Sequence, residues 1–183
     1  MTTAKDEGGS FILAPAGTFI AVCVGVYDLG IQKSTFGNKP KVCIRWEIDE
    51  RIQQVGEYYN KRFCVSKFYT LSLNEKANLT KDLESWRGKK FTAEEIKQGF
   101  EVEKVLGQNC FLSIIHAERN GKTSAKIATI SPLPKGVEKI KPENNLNEVP
   151  EWVKKIQEKA IPQSESYDEE QDLSKYNREE SPF

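Results

Sequence analysis

Residues 41–49 alternate strictly between apolar and polar side chains, and this pattern restricts the fold more than any other segment. The apolar positions are Val42, Ile44, Trp46 and Ile48, and the positions between them are Lys41, Cys43, Arg45 and Glu47. A period of two is typical of a strand that buries one face, and it does not fit a helix with one apolar side. The sequence therefore predicts a sheet with one buried face, from which Lys41, Arg45 and Glu47 point away.

Four further segments have strand character. Residues 18–29 are rich in Val, Ile and Phe, and residues 58–68 place Phe63 and Val65 at core-like positions, with Tyr58 and Arg62 of opposite parity. Residues 108–117 and 122–130 follow later in the chain, and the Asn-Gly pair between them is a strong signal for a tight hairpin.

The apolar period lengthens to that of a helix between the third and fourth strands. Ser72 and Glu75 have the spacing of a capping box, and the helical pattern then continues to Gly88. Thr92 and Glu95 repeat the box and predict a second, shorter helix.

Three strands, a helical insert and a two-stranded hairpin follow one another in the order of the OB-fold, a five-stranded Greek-key barrel. We therefore expect a mainly β protein with an OB-fold-like five-stranded barrel over residues 11–133 and a helical insert between strands 3 and 4. A small α+β sandwich is the alternative.

Residues 1–10 are expected to be a disordered N-terminus, residues 134–162 a linker with a short amphipathic helix, and residues 163–183 a disordered acidic tail. Trp152 in that helix either docks the linker or contacts a partner.

Charge is distributed unevenly along the chain. The 27 basic and 27 acidic residues balance, but residues 163–183 hold seven acids against two bases, a net charge of −5. Residues 1–162 therefore carry +5. A basic body joined to an acidic tail is typical of proteins that act on nucleic acids.

The motifs of common enzymes are absent from the sequence. It contains no phosphate-binding P-loop, no dinucleotide-binding glycine motif and no zinc-protease motif, and His116 is its single histidine. The four cysteines are widely spaced, so we expect buried free thiols rather than a metal site. We expect no enzyme activity, no cofactor and no metal.

No apolar run is long enough to cross a membrane and no signal peptide is recognisable, so the expected location is the cytoplasm.

Basic and aromatic side chains occupy the places where OB barrels bind single strands, namely strands 2 and 3 and the loops that join strands 1 to 2 and 4 to 5. The cations would neutralise phosphates and the exposed rings would stack on bases. The candidate nucleic-acid-binding residues are Lys33, Phe36, Lys39, Lys41, Arg45, Tyr58, Lys61, Arg62, Arg119 and Lys122.

The last five residues, Glu179, Glu180, Ser181, Pro182 and Phe183, resemble the acidic tip that closes in Ile-Pro-Phe in bacterial single-stranded DNA-binding proteins, with a serine in place of the apolar residue. Residues 69–86 and 133–136 are similar to phage-encoded proteins of replication and recombination regions. The resemblance implies a phage-type single-stranded DNA-binding protein that forms homo-oligomers or acts multivalently in the host cytoplasm. It also implies that the tail recruits replication, recombination or repair proteins by placing apolar and acidic groups on a basic partner. The residues alone leave two alternatives open: a protein-interaction adaptor, and an OB-fold protein that binds RNA or anneals strands.

Overall fold

One antiparallel sheet of five strands organises residues 12–163, which are the residues that the structure, a computed structural model, describes. In chain order the elements are β1 (Gly17–Gln32), β2 (Lys39–Arg51), β3 (Arg62–Thr70), α1 (Asn78–Arg87), α2 (Ala93–Gln98), a 3-10 helix (Val102–Val105), β4 (Asn109–Arg119), β5 (Lys122–Ser131) and α3 (Glu151–Gln157). The mainly β class, the five strands and the helical insert between the third and fourth strands are confirmed. Of the predicted disordered ends, residues 1–10 and 163–183, all but residue 163 lie outside the described residues.

The strands are arranged in space as β3-β2-β1-β4-β5, so β3 and β5 are the edges of the sheet. These edges approach to within 8 Å between Cα atoms, and α1 contacts both of them. Within residues 12–163, however, no backbone pairing joins β3 to β5. The five-stranded sheet is therefore confirmed, whereas its closure into a barrel stays a prediction.

The main core lies on the face of the sheet that α1 covers. All four apolar positions of the alternating segment are buried there, as predicted: Val42, Ile44, Trp46 and Ile48. The rings of Trp46 and Trp86 lie 5.8 Å apart, and Trp86 Nε1 donates a hydrogen bond to the carbonyl of Asn109 at 2.9 Å. Aromatic packing and a satisfied indole N–H together fix α1 to the sheet.

Short-range signals in the helical insert and the hairpin are confirmed. Glu95 N–H donates to Thr92 Oγ1 at 3.1 Å, and the Glu95 carboxylate accepts from Thr92 N–H at 2.8 Å, so the second capping box is complete. α1 ends at Gly88, whose φ of 70° is the left-handed conformation that glycine adopts without strain. Asn120 and Gly121 have φ values of 53° and 73°, as a tight two-residue hairpin turn requires.

The capping box predicted for Ser72 and Glu75 is wrong. α1 begins only at Asn78, and Ala77 at its N-cap makes no side-chain cap hydrogen bond. The preceding residues form a turn in which Asn74 Oδ1 accepts from a backbone N–H two residues later. That local turn competes successfully with an early start of the helix.

None of the helices within residues 12–163 combines the length and the apolar character needed to cross a bilayer.

The third strand begins later than predicted. Tyr58 lies in the turn between β2 and β3, where Asn60 has a φ of 62°. The turn is closed by Asn60 N–H donating to the carbonyl of Ile52 at 2.8 Å and by Ile52 N–H donating to the carbonyl of Lys61 at 2.9 Å. The prediction that Tyr58 shares a strand face with Arg62 is therefore wrong, because the left-handed residue breaks the alternation.

Residues 140–161, which we call the C-terminal segment, return across the sheet and include α3. The predicted helix is observed, although it is shorter than residues 151–160. Val153 is fully buried in a second, smaller cluster on the face opposite the main core, together with Tyr27, Leu29 and Cys43. At its end, Ile161 N–H donates to the carbonyl of Ile31 at 2.8 Å. The sheet therefore buries apolar side chains on both faces at β1 and β2.

We predict that the cysteine thiols are protected from alkylation in the folded protein. All four are free, and burial raises the pKa of Cys23 and of Cys43 to about 12 and also raises the pKa of Cys64 and Cys110. Because the thiolate is the reactive form, iodoacetamide at pH 8 should modify the native protein slowly, with Cys64 reacting first, and should modify all four in urea. Mass spectrometry after digestion measures each site. Equal rates for Cys23 in native and unfolded protein would contradict this burial.

Candidate nucleic-acid interface

The outer face of the sheet is the face turned away from the main core, and it is the face on which the sequence predicts nucleic-acid contacts. On β2 it carries Lys39, Lys41, Cys43, Arg45 and Glu47, and on β3 it carries Arg62, Cys64, Ser66, Phe68 and Thr70. The register pairs Lys41 with Thr70 and Cys43 with Phe68. Side chains from two strands therefore stand beside each other on this face.

The C-terminal segment covers one part of the outer face. Asn147 N–H donates to the carbonyl of Val24 at 2.7 Å, and Asn147 Oδ1 accepts from Val26 N–H at 2.9 Å. The Tyr27 hydroxyl donates to the carbonyl of Glu148 at 2.9 Å. The pairing of β1 with β2 is irregular between Cys23 and Gly25, and these bonds satisfy backbone groups of β1 near that irregularity. They therefore fix the C-terminal segment at one position along β1.

Glu47 ties the C-terminal segment to β2. Although the alternation predicts that it faces solvent, its side chain is 0% exposed. The backbone N–H groups of Glu143 and Asn144 donate to the carboxylate at 2.6–3.1 Å, and Asn144 Nδ2 donates at 2.7 Å. Burying a carboxylate is unfavourable unless hydrogen bonds replace its water, and here the segment supplies them.

Arg62 belongs to the same charged cluster. Its side chain is 11% exposed and lies 3.5 Å from Glu47 and 3.6 Å from Glu143, measured between nitrogen and oxygen atoms. It also donates to the carbonyl of Lys141 at 2.7 Å. A guanidinium engaged in this way offers little to a phosphate, so this geometry favours a role in holding the segment.

Beside the C-terminal segment, Phe68, Lys39 and Lys41 of the outer face are accessible, and together with Trp152 of α3 they form what we call the aromatic–lysine patch. Phe68 is 52% exposed and Trp152 is 38% exposed, and their ring centroids lie 6.1 Å apart in an edge-to-face arrangement. Lys41 Nζ donates to Thr70 Oγ1 at 2.7 Å, which holds the ammonium next to the Phe68 position on β3. Exposed rings and cations on one surface are the groups that single-stranded nucleic acid requires.

The loop between β1 and β2 extends this patch, because it leads directly into Lys39. Lys33 is exposed in the loop, and Phe36 is 88% exposed. Ser34 Oγ accepts from Phe36 N–H at 3.2 Å and donates to the carbonyl of Gly37 at 2.8 Å. The loop is therefore held by its own hydrogen bonds while the Phe36 ring points away from the core.

Four of the predicted binding residues lie away from the aromatic–lysine patch: Tyr58, Lys61, Arg119 and Lys122. The registers place the turn after β2 and the β4–β5 hairpin beside the start of β1, whereas the β1–β2 loop follows its end. Lys61 Nζ lies 5.3 Å from the centre of the Tyr58 ring. The sequence predicts that the β1–β2 loop and the β4–β5 loop lie on one side of the barrel. The strand registers instead place these two loops at opposite ends of β1.

Phe68 is not among the residues that the sequence predicts for binding, although the sequence holds a signal for it. Phe68 has the same parity as Arg62 in the predicted third strand, so it belongs to the face that was proposed for binding. Trp152 could not be assigned, because only the packing of α3 on the sheet brings it to Phe68. The predicted partner-binding residues Glu179, Glu180, Ser181, Pro182 and Phe183 lie outside the described residues.

Comparison with known proteins adds no family to this description. No protein-family model matches the chain, and a search of curated proteins finds no match.

We predict that Arg62→Ala destabilises the protein. Removing one partner of a buried ion pair leaves the other charge uncompensated, so the free energy of unfolding should fall by on the order of 3 kcal/mol. Urea denaturation measures this change, and Arg119→Ala, in the exposed hairpin, should alter it by less than about 0.5 kcal/mol. If Arg62→Ala keeps full stability but loses affinity for nucleic acid, Arg62 is a binding residue, as the sequence predicts.

Proposed function

We propose that this protein binds single-stranded DNA without catalysing a reaction, and that its acidic residues 163–183 recruit proteins of replication, recombination or repair. The strand lies on the aromatic–lysine patch and the β1–β2 loop. The observation that carries this proposal is the exposed Phe68–Trp152 pair beside Lys39 and Lys41 on the outer face of the sheet.

Each part of this surface has a chemical role in the proposal. Phe36, Phe68 and Trp152 stack on successive bases, and stacking accepts any base, so little sequence preference is expected. Lys33, Lys39 and Lys41 neutralise phosphates and release counterions, which makes the affinity depend on salt. Duplex DNA keeps its bases stacked inside, so it cannot use the rings.

We also propose that the sheet closes as an OB-type barrel. The strand order β3-β2-β1-β4-β5 and the close approach of β3 to β5 support this, as does the position of the helical insert between β3 and β4. In such barrels the outer face of strands 2 and 3 is the usual site for oligonucleotides.

We predict that Phe68→Ala and Trp152→Ala each raise the Kd for an oligo-dT strand by about 5-fold or more. A stacked ring contributes roughly 1–3 kcal/mol per base, and either substitution removes one ring. Fluorescence anisotropy with labelled oligo-dT measures the change. Tyr59→Ala is the matched control, because Tyr59 is 55% exposed but lies in the turn after β2.

Wild-type protein should bind the oligo-dT strand more tightly than a duplex of equal length, and added salt should weaken this binding. Equal affinity for strand and duplex would reject the proposal. Tighter binding to oligo-U than to oligo-dT would favour the alternative of an RNA-binding protein.

The position of Ile161 supports a second part of the proposal, in which the acidic residues that follow it in the sequence compete with DNA. Ile161 pairs with Ile31 near the end of β1, and Lys33 directly follows that strand. The acidic residues begin four positions later and carry a net charge of −5. In the proposal these residues occupy the basic loop in the absence of DNA, and DNA displaces them and releases Pro182 and Phe183 for partners.

We predict that deleting residues 164–183 tightens binding of oligo-dT at low salt and abolishes recruitment of partner proteins. The gain should shrink as salt increases, because it comes from removing an electrostatic competitor. Anisotropy titrations of full-length and shortened protein at two salt concentrations measure it. Equal affinity of the two forms at low salt would reject the competition and leave the proposed DNA binding intact.

A further inference from the structure

We propose that the cleft between Arg45 and the C-terminal segment holds one nucleotide of the bound strand, with its phosphate on the Arg45 guanidinium. This inference rests on the proposed function and adds a second subsite to the aromatic–lysine patch. The cleft has a volume of about 380 Å³, which lies within the range of small-ligand sites. Val24, Tyr27 and Arg45 line it from the sheet, and Asn144, Asn145, residues 148–151 and Lys154 line it from the C-terminal segment.

Arg45 differs from three other arginines of the strands and helices. Arg51, Arg62 and Arg87 each form an ion pair with a carboxylate. Arg45 is only half-buried, yet in the part of the chain that the structure describes no carboxylate oxygen lies within 4.0 Å of it. A partly desolvated guanidinium without an anion attracts a phosphate, which it can bind through two parallel hydrogen bonds.

Two polar groups of the sheet interact closely with the Arg45 guanidinium, and both are neutral, whereas Glu47 on the same face of β2 is bonded to the C-terminal segment. The two neutral groups are the Tyr27 hydroxyl and the Cys64 thiol, and burial raises the pKa of both, so neither supplies a negative charge near pH 7. The Tyr27 hydroxyl already donates to the carbonyl of Glu148. The guanidinium therefore keeps a positive charge that no described group in the cleft neutralises directly.

Two carboxylates also line the cleft, and each has its own partner. Glu151 accepts from Lys154 Nζ at 2.7 Å, and Glu148 accepts from Asn145 Nδ2 at 3.1 Å. Because these charges offset Arg45 and Lys154 overall, we expect the cleft to bind a free mononucleotide weakly. A strand that is already held on the patch reaches the cleft at high effective concentration, which compensates for the weak intrinsic affinity.

The cleft continues the path of the strand along β2. Cys43 pairs with Phe68 and Arg45 pairs with Ser66, so the two levels are two residues apart on one face, about 6–7 Å along the strand. On the other side, Trp152 and Lys154 both belong to α3. A base stacked on Phe68 and Trp152 therefore places a neighbouring phosphate within reach of Arg45.

The test is Arg45→Gln, titrated with oligo-dT by fluorescence anisotropy at several salt concentrations. We expect about a 10-fold increase in Kd, the effect of losing one charge-assisted hydrogen bond. We also expect the slope of log K against log salt to fall by about 0.7, the value for one phosphate of a single strand. Arg45→Lys should retain the slope, since it retains the charge. Lys81→Gln, an exposed residue of α1, is the matched control.

A second readout locates the contact. Oligo-dT should shift the side-chain amide signals of Asn144 and Asn145 in ¹⁵N NMR spectra of wild-type protein and should shift them less in Arg45→Gln. Thermal unfolding of the variant verifies that it is folded, and Arg45→Met, which also removes the charge, replaces it if it is not.

An Arg45→Gln variant with wild-type affinity and an unchanged salt slope would overturn the cleft proposal while leaving the proposed function standing. If dTMP shifts the two amides strongly and oligo-dT does not, the cleft is a site for a free nucleotide and the proposal is also overturned. Failure of the wild-type protein to bind oligo-dT at all would instead reject the proposed function.

Discussion

The position of the C-terminal segment on the sheet depends on its hydrogen bonds to the buried carboxylate of Glu47. A charged group in the middle of a strand can be removed from water only if donors surround it, and the donors here come from the C-terminal segment and from Arg62. The segment is therefore placed on the outer face, where Val153 completes a second apolar cluster. The docked segment also contributes Trp152 to the aromatic–lysine patch and one wall to the Arg45 cleft, which together form the surface available for a ligand.

Most of the fold could be predicted from the sequence because its signals are local. The alternation of residues 41–49 identifies the buried face of β2, and Asn-Gly and the Thr92 box fix a turn and a helix start through bonds between near neighbours. Two local predictions were wrong for an equally local reason. An asparagine turn delayed α1, and left-handed Asn60 delayed β3, in each case because a polar side chain or backbone found a competing arrangement. Closure of the sheet depends on long-range geometry that no local pattern encodes.

The candidate site was less predictable, because it depends on contacts between residues far apart in the chain. Parity correctly places Arg45 and Arg62 on the outer face, but parity does not reveal that the C-terminal segment lies there as well. For this reason the sequence predicts Arg62 as a phosphate contact without revealing that it pairs with Glu47 and Glu143. Phe68 could have been selected by the same parity argument. Trp152 could not, since only the docking of α3 brings the two rings together.

The central claim is that single-stranded DNA contacts the aromatic–lysine patch and the loop between β1 and β2. The most direct measurement is ¹H–¹⁵N chemical-shift mapping of the full-length protein during titration with oligo-dT. The account predicts the largest shifts at Phe36, Lys41, Phe68 and the Trp152 indole, with little change at Glu47 and Arg62. Shifts confined to the turn after β2 and the β4–β5 hairpin, or no shifts at all, would contradict it.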